Sequence, residues 1–135
     1  MFVEHGQKQF TSKGKIYTFK EFYNCGSDFV IYALACPCNL LYVGRTIRPL
    51  RQRFGEHRRK IEAGKDKHSV PRHFLECHQK STNGLKVWVI EQIPKKYTEA
   101  ERFHRLCERE TFWIYSLGAL RPGGINEELE ISTIL

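Results

Sequence analysis

Two ionisable side chains fall on the apolar faces of predicted helices, where the hydrophobic pattern requires hydrocarbon. His57 lies on the apolar stripe of the first long helix and Glu110 on that of the last one. Arg53 precedes His57 by one helical turn, so both can approach a shared anion, for which a phosphate is the natural candidate. Such departures from the binary pattern mark functional sites. The structural alternative is a hydrogen-bonded core histidine and a buried carboxylate paired with an arginine.

Two tyrosines ten residues apart flank a Cys-Pro-Cys turn. Tyr32 and Tyr42 are nearly equidistant from that turn, so a hairpin would place them across from each other on one face of a sheet. As isolated residues, tyrosines are more often core side chains with a satisfied hydroxyl. The ordinary pKa of a phenol is about 10, so a tyrosine that accepts a proton needs a cation or metal ion close by.

Cysteine and histidine spacing indicates a zinc site. Cys36 and Cys38 belong to the turn itself, while His73 and His78 have the H-x4-H spacing of the second half of a Cys2His2 site. Thiolate and imidazole ligands suit zinc, and a closed four-ligand site would tie the hairpin tip to a short helix. The sequence therefore predicts a hairpin stapled by zinc.

Other cysteines and histidines leave the ligand set open. Cys77 shares a helix face with His73 at a spacing of four and is a rival ligand, as are Cys25 and His68. Cys107 fits a small, buried and unligated thiol. Five cysteines are an odd number, and the first nine residues lack the apolar segment of a secretory signal. Reduced thiols or metal ligands are therefore favoured over a disulfide framework, which indicates an intracellular compartment.

The strands that must position these residues form a small sheet. Residues 29–35 and 40–44 are apolar runs on either side of the Cys-Pro-Cys turn, and they predict a hairpin of mostly buried strands. Residues 85–93 follow an Asn-Gly turn signal and predict a third strand. Residues 15–19 are a short β-like run, which we interpret as part of an arm or edge strand.

Helices alternate with these strands. A helix is predicted over residues 49–63, with Pro49 in its first turn and Gly64 at its end. A short helix is predicted from residue 70 to about 77. Thr98 and Glu101 form a capping box that opens the last helix. The predicted apolar stripe of that helix consists of Phe103, Leu106, Trp113 and Leu117. The fold class is therefore α/β (α+β), with a three-stranded antiparallel sheet flanked by helices.

Composition bounds the function classes. The 135 residues correspond to one average domain, with 41% hydrophobic residues, too many for a disordered chain. No apolar run approaches the roughly 20 residues that cross a bilayer, so no membrane partner is expected. The 22 lysines and arginines exceed the 15 acidic residues, and the charge of +7 favours a partner rich in phosphate. We predict an N-terminal arm or edge segment over residues 1–24, one domain with an integrated zinc site over residues 25–130 and a tail over residues 131–135.

The paired motifs resemble those of the GIY-YIG endonucleases. Val30-Ile-Tyr32 and Tyr42-Val-Gly44 match the two motifs, and four positions follow at fitting intervals. These are Arg53, His57, Glu110 and Asn126. The resemblance extends from about residue 29 to Asn126, and one departure is Val30, where the family usually has glycine. It implies a GIY-YIG fold and hydrolysis of a DNA phosphodiester with one magnesium or manganese ion.

The resemblance also implies roles. Glu110 would hold the magnesium or manganese ion with a hard carboxylate oxygen. Arg53 would stabilise charge on the scissile phosphate, while a tyrosine or His57 takes the proton from the attacking water. Arg45 stands where relatives often have a basic residue that contacts phosphate; the alternative is an ordinary exposed arginine. Asn126 would help to order the site, whereas the alternative is a loop residue after Gly-Gly.

Two cysteines between the tyrosine motifs, followed by two histidines, are similar to the endonuclease domain of Penelope-like retroelements. Segments 113–114 and 126–129 also look like that lineage. This resemblance implies nicking of target DNA in the nucleus, so that the freed 3′ end primes reverse transcription, with a reverse transcriptase and its RNA as partners. The alternative function is a zinc-containing DNA-binding module with a vestigial nuclease site.

Overall fold

The computed structural model describes residues 9–12, 15–18, 26–38, 40–64, 70, 72–74 and 85–127. Two short strands come first, β1 (Gln9–Ser12) and β2 (Lys15–Thr18), and they pair with each other. The remaining strands are β3 (Val30–Ala35), β4 (Leu41–Thr46) and β5 (Lys86–Gln92). The two long helices of the described residues are α1 (Leu50–Glu62), between β4 and β5, and α2 (Glu99–Ser116), after β5. None of the described helices is long and apolar enough to cross a membrane.

Strands β3, β4 and β5 form the predicted three-stranded antiparallel sheet, in the order β4-β3-β5. The α+β fold class is thereby confirmed. Strand β4 is longer than predicted, because it continues beyond the Tyr-Val-Gly motif to Thr46. Strand β3 begins one residue later than predicted, because Phe29 has a positive φ of 50° that ends the extended conformation.

Each face of the sheet is covered by one long helix. Alternate residues of β3 point to opposite faces, so Ile31 packs with α2 residues such as Leu106, while Val30 packs with α1 residues such as Phe54. All four of these side chains are at most 1% exposed. The strands are apolar on both faces because both faces are buried.

The helices begin and end at capping residues. The side-chain oxygen of Thr98 accepts a hydrogen bond from the Glu101 backbone N–H at 3.2 Å, which confirms the predicted start of α2. Gly64, with a φ of 70°, follows α1 as predicted. Pro49 was expected in the first turn of α1, but it is the N-cap, because its ψ of 136° is extended rather than helical.

The predicted apolar stripe of α2 is wrong in part. Phe103 is 43% exposed and Trp113 is only partly buried. Leu106, Glu110 and Leu117 are buried as predicted, and the buried side also includes Cys107 and Ile114. The 3.6-residue period selects Cys107 and Ile114 once Glu110 is taken as a buried position.

The N-terminal and central segments are described in part. Residues 15–19 were interpreted as an arm or edge strand, and Lys15–Thr18 pairs with a strand, Gln9–Ser12, that the sequence did not reveal. Of the short helix predicted over 70–77, residues 70 and 72–74 are helical, and the others lie outside the described residues.

Candidate active site

The side chains of Tyr32, Arg53 and His57 meet on the α1 face of the sheet. The Tyr32 hydroxyl lies 2.7 Å from His57 Nε2, and Arg53 Nε donates a hydrogen bond to the same hydroxyl oxygen at 3.3 Å. Tyr32 is 0% and His57 6% exposed. Since the hydroxyl accepts from Arg53, its own proton is well placed for donation to His57 Nε2 when this histidine carries its proton on Nδ1. The one-turn spacing in α1 thus brings Arg53 and His57 together, as predicted.

Tyr42 joins this group from β4. Its ring centroid lies 6.5 Å from that of Tyr32 and 5.6 Å from that of His57. The prediction that the two tyrosines lie directly across from each other is wrong, because Tyr32 is opposite Gly44 in the register. Ala35 pairs with Leu41, so the hairpin is centred one residue beyond the centre of the Cys-Pro-Cys turn. The tyrosines are therefore diagonal neighbours on one face.

Gly44 allows the Tyr32 ring to lie across β4. A Cβ atom at Gly44 would be 2.5 Å from Tyr32 Oη, 2.6 Å from Tyr32 Cζ and 2.9 Å from a Tyr42 ring carbon. Any side chain at this position would displace the phenol from His57. The Tyr-Val-Gly motif includes this glycine, but the sequence alone does not explain why glycine is needed there, because the explanation depends on the pairing register.

Arg53 also lies near a carboxylate that the sequence reasoning missed. Arg53 Nη1 is 3.6 Å from Glu56 Oε1, and the same carboxylate oxygen pairs with Arg48 Nη2. Burial by itself would lower the pKa of Arg53, but the phenols of Tyr32 and Tyr42 and the Glu56 carboxylate raise it above its ordinary range. The guanidinium is therefore charged at neutral pH. The available signal was the i, i+3 spacing of Arg53 and Glu56.

Glu110 is buried, as predicted, and it pairs with Arg45, so the structural alternative of a buried carboxylate paired with an arginine describes its contacts. It is 4% exposed, and Arg45 Nη1 donates to Glu110 Oε1 at 2.8 Å. The Arg45 guanidinium also lies 5.6 Å from the ring centroid of Phe103. Arg45 is not an ordinary exposed arginine, since its side chain is only 27% exposed and is paired with a carboxylate. The contact with phosphate that the resemblance implies for Arg45 stays a prediction. Cys107 is also affected by the Arg45 charge. Burial raises the pKa of the Cys107 thiol, and this effect is larger than the opposing effect of the Arg45 charge.

The tyrosine group and the Glu110 pair lie on opposite sides of β4. Gly44 and Arg45 are consecutive in this strand, so the first faces α1 and the second faces α2. Strand β4 is an edge strand of the sheet, so the side chains that it contributes to the two groups lie along that edge. The predicted residues thus form two groups joined by one strand.

Asn126 holds the outer edge of β4. Its side-chain oxygen accepts from the Val43 backbone N–H at 2.8 Å, and its amide donates to the Val43 carbonyl at 2.9 Å. The neighbouring Ile125 N–H donates to the Leu41 carbonyl at 2.9 Å. Asn126 is 1% exposed, so the alternative of an ordinary loop residue does not describe it. It orders the strand that carries Tyr42 and Arg45.

A second cluster lies at the hairpin tip. The Sγ atoms of Cys36 and Cys38 each lie 3.3 Å from His73 Nε2, and the three potential metal ligands lie within 4.8 Å of one another. The structure joins the two sulfurs in a disulfide, contrary to the preference for reduced thiols, because the turn places the two Cα atoms 5.3 Å apart, within the range that a disulfide spans. Cys107 is free and buried, as predicted. The other proposed zinc ligands lie outside the described residues: Cys25, His68, Cys77 and His78.

Comparison with known proteins gives one match. Residues 28–122 match the family described as the GIY-YIG catalytic domain, which covers most of the chain and includes both tyrosines, Arg53, His57 and Glu110. No curated protein and no solved structure matches the chain.

Proposed function

The chain belongs to the GIY-YIG catalytic domain family, a family of nucleases, and from this premise we propose that it is a divalent-metal-dependent DNA endonuclease. The observation that carries the proposal is the meeting of Arg53 Nε and His57 Nε2 at the Tyr32 hydroxyl. A cation, an imidazole and a phenol at one point can bind a phosphate and transfer a proton, which are the tasks of phosphodiester hydrolysis.

The Glu110 carboxylate fits a hard divalent cation. Magnesium is usually held by one or two carboxylates, with water and substrate phosphate oxygens in the other positions. A carboxylate has about four lone-pair positions, and Arg45 takes one of them through Oε1. When bound, magnesium or manganese would act as a Lewis acid toward the phosphate. Glu110 is the residue that we propose to hold it.

The residues on the other side of β4 have complementary roles in this proposal. Arg53 is charged and binds the scissile phosphate, where it stabilises the negative charge of the transition state. His57 orients the Tyr32 hydroxyl and can accept its proton, so the Tyr32–His57 pair can take a proton from the attacking water. Tyr42, whose ring lies against His57, is the other proton acceptor that we propose.

Cleavage of supercoiled plasmid with magnesium or manganese tests the proposal. Glu110→Ala is expected to abolish metal-dependent cleavage and to leave DNA binding largely intact. Glu108→Ala is the matched control, because Glu108 is 63% exposed on the same helix and pairs with His104. Circular dichroism shows whether each variant is folded. Full cleavage by Glu110→Ala would contradict the assignment, and DNA binding by the unaltered chain without any cleavage would support a vestigial DNA-binding module instead.

We further propose that the nick primes reverse transcription in the nucleus, with a reverse transcriptase and its RNA as partners. The similarity of the paired cysteines and downstream histidines to Penelope-like endonucleases supports this proposal. Priming requires a 3′ hydroxyl at the nick. Extension of the nicked plasmid by a DNA polymerase is therefore expected, whereas ends that are extended only after phosphatase treatment would exclude priming.

Zinc at the hairpin tip is a separate proposal. Cys36, Cys38 and His73 would supply three ligands, with His78 as the fourth. Zinc requires both sulfurs as thiolates, so the zinc-bound and disulfide forms exclude each other. For protein purified under reducing conditions, Cys38→Ser is expected to lower both the zinc content and the melting temperature. Cys107→Ser is the control, and a folded Cys38→Ser variant with an unchanged zinc content would remove Cys38 from the site.

A further inference from the structure

Arg48 and Glu56 lie beside the proposed phosphate-binding arginine, and no role described so far uses them. Glu56 Oε1 pairs with Arg48 Nη2 and lies 3.6 Å from Arg53 Nη1. One carboxylate oxygen is thus shared by two guanidinium groups. Arginine forks of this kind bind carboxylate and phosphate oxygens with the same geometry.

The turn between β4 and α1 fixes the position of the Arg48 backbone. The Thr46 hydroxyl accepts a hydrogen bond from the Arg48 backbone N–H and donates one to the Arg48 carbonyl, both at 3.1 Å. Thr46 is only 5% exposed, so this turn is anchored in the protein. The Arg48 side chain is 50% exposed and is therefore accessible to a ligand in solvent.

The cluster of Arg48, Arg53 and Glu56 has a net charge of +1. Two guanidinium groups face one carboxylate, and this carboxylate is ionised at neutral pH. Slight burial opposes ionisation, but the hydrogen bond and charge of Arg48, and then those of Arg53, lower the pKa of Glu56. A phosphodiester carries the same single charge as a carboxylate and has oxygens that suit the same arginine fork.

We propose that Arg48 is a second phosphate-binding residue and that Glu56 occupies, in the free protein, the place of a DNA phosphate between Arg48 and Arg53. This inference rests on the proposed nuclease function and adds a substrate contact to it. The incoming phosphate replaces the carboxylate on Arg48, and Glu56 turns toward solvent. The exchange costs little free energy, because an ion pair between partly exposed side chains contributes little to stability.

A cycle of variants tests the exchange. Affinity for a fluorescein-labelled DNA duplex is measured by fluorescence anisotropy in EDTA, between about 50 and 200 mM salt. Arg48→Met is expected to weaken binding and to reduce the slope of log affinity against log salt by about 0.9, the value for one phosphate contact. Glu56→Gln is expected to strengthen binding by up to roughly fivefold, the factor that corresponds to the upper value for an exposed ion pair. Arg48→Met should then weaken binding more in the Glu56→Gln background than alone.

The chain offers a matched control pair on the same helix. Arg58 Nε lies 4.0 Å from Glu62 Oε1, and both side chains are about as exposed as those of Arg48 and Glu56 or more so. Arg58→Met and Glu62→Gln make the same charge changes, and they are expected to have smaller effects that add independently. Circular dichroism checks that all variants are folded.

Each outcome decides the proposal. Equal effects of Glu56→Gln and Glu62→Gln would show only general electrostatic attraction and would overturn the exchange. Weaker binding by Glu56→Gln would also overturn it, because the carboxylate would then support Arg53 rather than compete with phosphate. If the unaltered chain binds DNA but the effects of Arg48→Met and Glu56→Gln on affinity simply add, the exchange is wrong while the proposed nuclease function stands. If the unaltered chain neither binds nor cleaves DNA, the proposed function fails and the inference falls with it.

Discussion

Replacing Gly44 by alanine is expected to disable the tyrosine group by adding one methyl group. The new Cβ would lie 2.5 Å from Tyr32 Oη and 2.6 Å from Tyr32 Cζ, about 1 Å inside normal contact between heavy atoms. Tyr32 is 0% exposed and packs against α1, so its ring has no open space to enter. Either the ring or strand β4 must move, and the contact with His57 is lost.

The size of the effect follows from the overpacking. Inserting a methyl group into a filled core costs about 1 to 3 kcal/mol. With roughly 2.1 cal/mol/K of unfolding entropy per residue, 1 kcal/mol corresponds to roughly 3.5 °C for a chain of this length. Gly44→Ala is therefore expected to lower the melting temperature by about 4 to 10 °C. Cleavage is expected to fall by at least about 100-fold, the lower value for loss of a positioned acid or base.

Gly55→Ala is the matched control. A Cβ at this position in α1 meets only Arg59 Nη1, at 3.3 Å, and this is the end of a flexible side chain. Alanine is favoured over glycine inside a helix by about 1 kcal/mol, so the variant is expected to melt at the same or a slightly higher temperature. Thermal melts followed by circular dichroism and plasmid cleavage measure both variants. A Gly44→Ala protein with an unchanged melting temperature and full cleavage would refute the steric argument.

Three further predictions concern other parts of the site. Asn126→Ala removes both side-chain partners of the Val43 backbone and is expected to cost about 2 to 4 kcal/mol in the free energy of unfolding by urea; a smaller loss would mean that water replaces them. Arg45→Met leaves the buried Glu110 carboxylate without its guanidinium and is expected to cost about 1 to 3 kcal/mol, with partial recovery in Arg45→Met/Glu110→Gln, whereas no recovery would indicate a packing role for Arg45. Because the pKa of Glu56 is lowered in the folded state, its contribution to stability is present above the ordinary value of 4.5 and is lost as pH falls through the lowered value. Urea titrations should therefore show a steeper acid loss for the unaltered chain than for Glu56→Gln, and parallel curves would contradict this.

Residue spacing in the sequence predicts the convergence of Arg53 and His57, because a helical turn separates them and a helix is rigid. Spacing also identifies Glu110 as a buried carboxylate, since the period of α2 places it inside. Both predictions rest on local geometry within one helix. The assignment of catalytic roles to these residues stays a prediction.

Contacts that depend on strand register were not predictable in the same way. The diagonal arrangement of Tyr32 and Tyr42 depends on where the hairpin loop ends, and one residue more or less changes every cross-strand partner. The ion pair of Arg45 with Glu110 joins a strand to a helix 65 residues later, and no local pattern selects one arginine from the many in the chain. The exposure of Phe103 was missed for a related reason, because an apolar residue at helical spacing also fits the rim of the buried stripe.

Strand β4 makes the two groups of the site depend on each other. Its alternation places Gly44 beneath Tyr32 on one face and Arg45 beside Glu110 on the other. A slip of one residue would exchange these faces, so both groups would be lost together. The two hydrogen bonds of Asn126 to Val43, between Tyr42 and Gly44 in this strand, oppose such a slip from its outer edge. A change at Asn126 is therefore expected to disturb the tyrosine group and the Glu110 pair at the same time, rather than one of them alone.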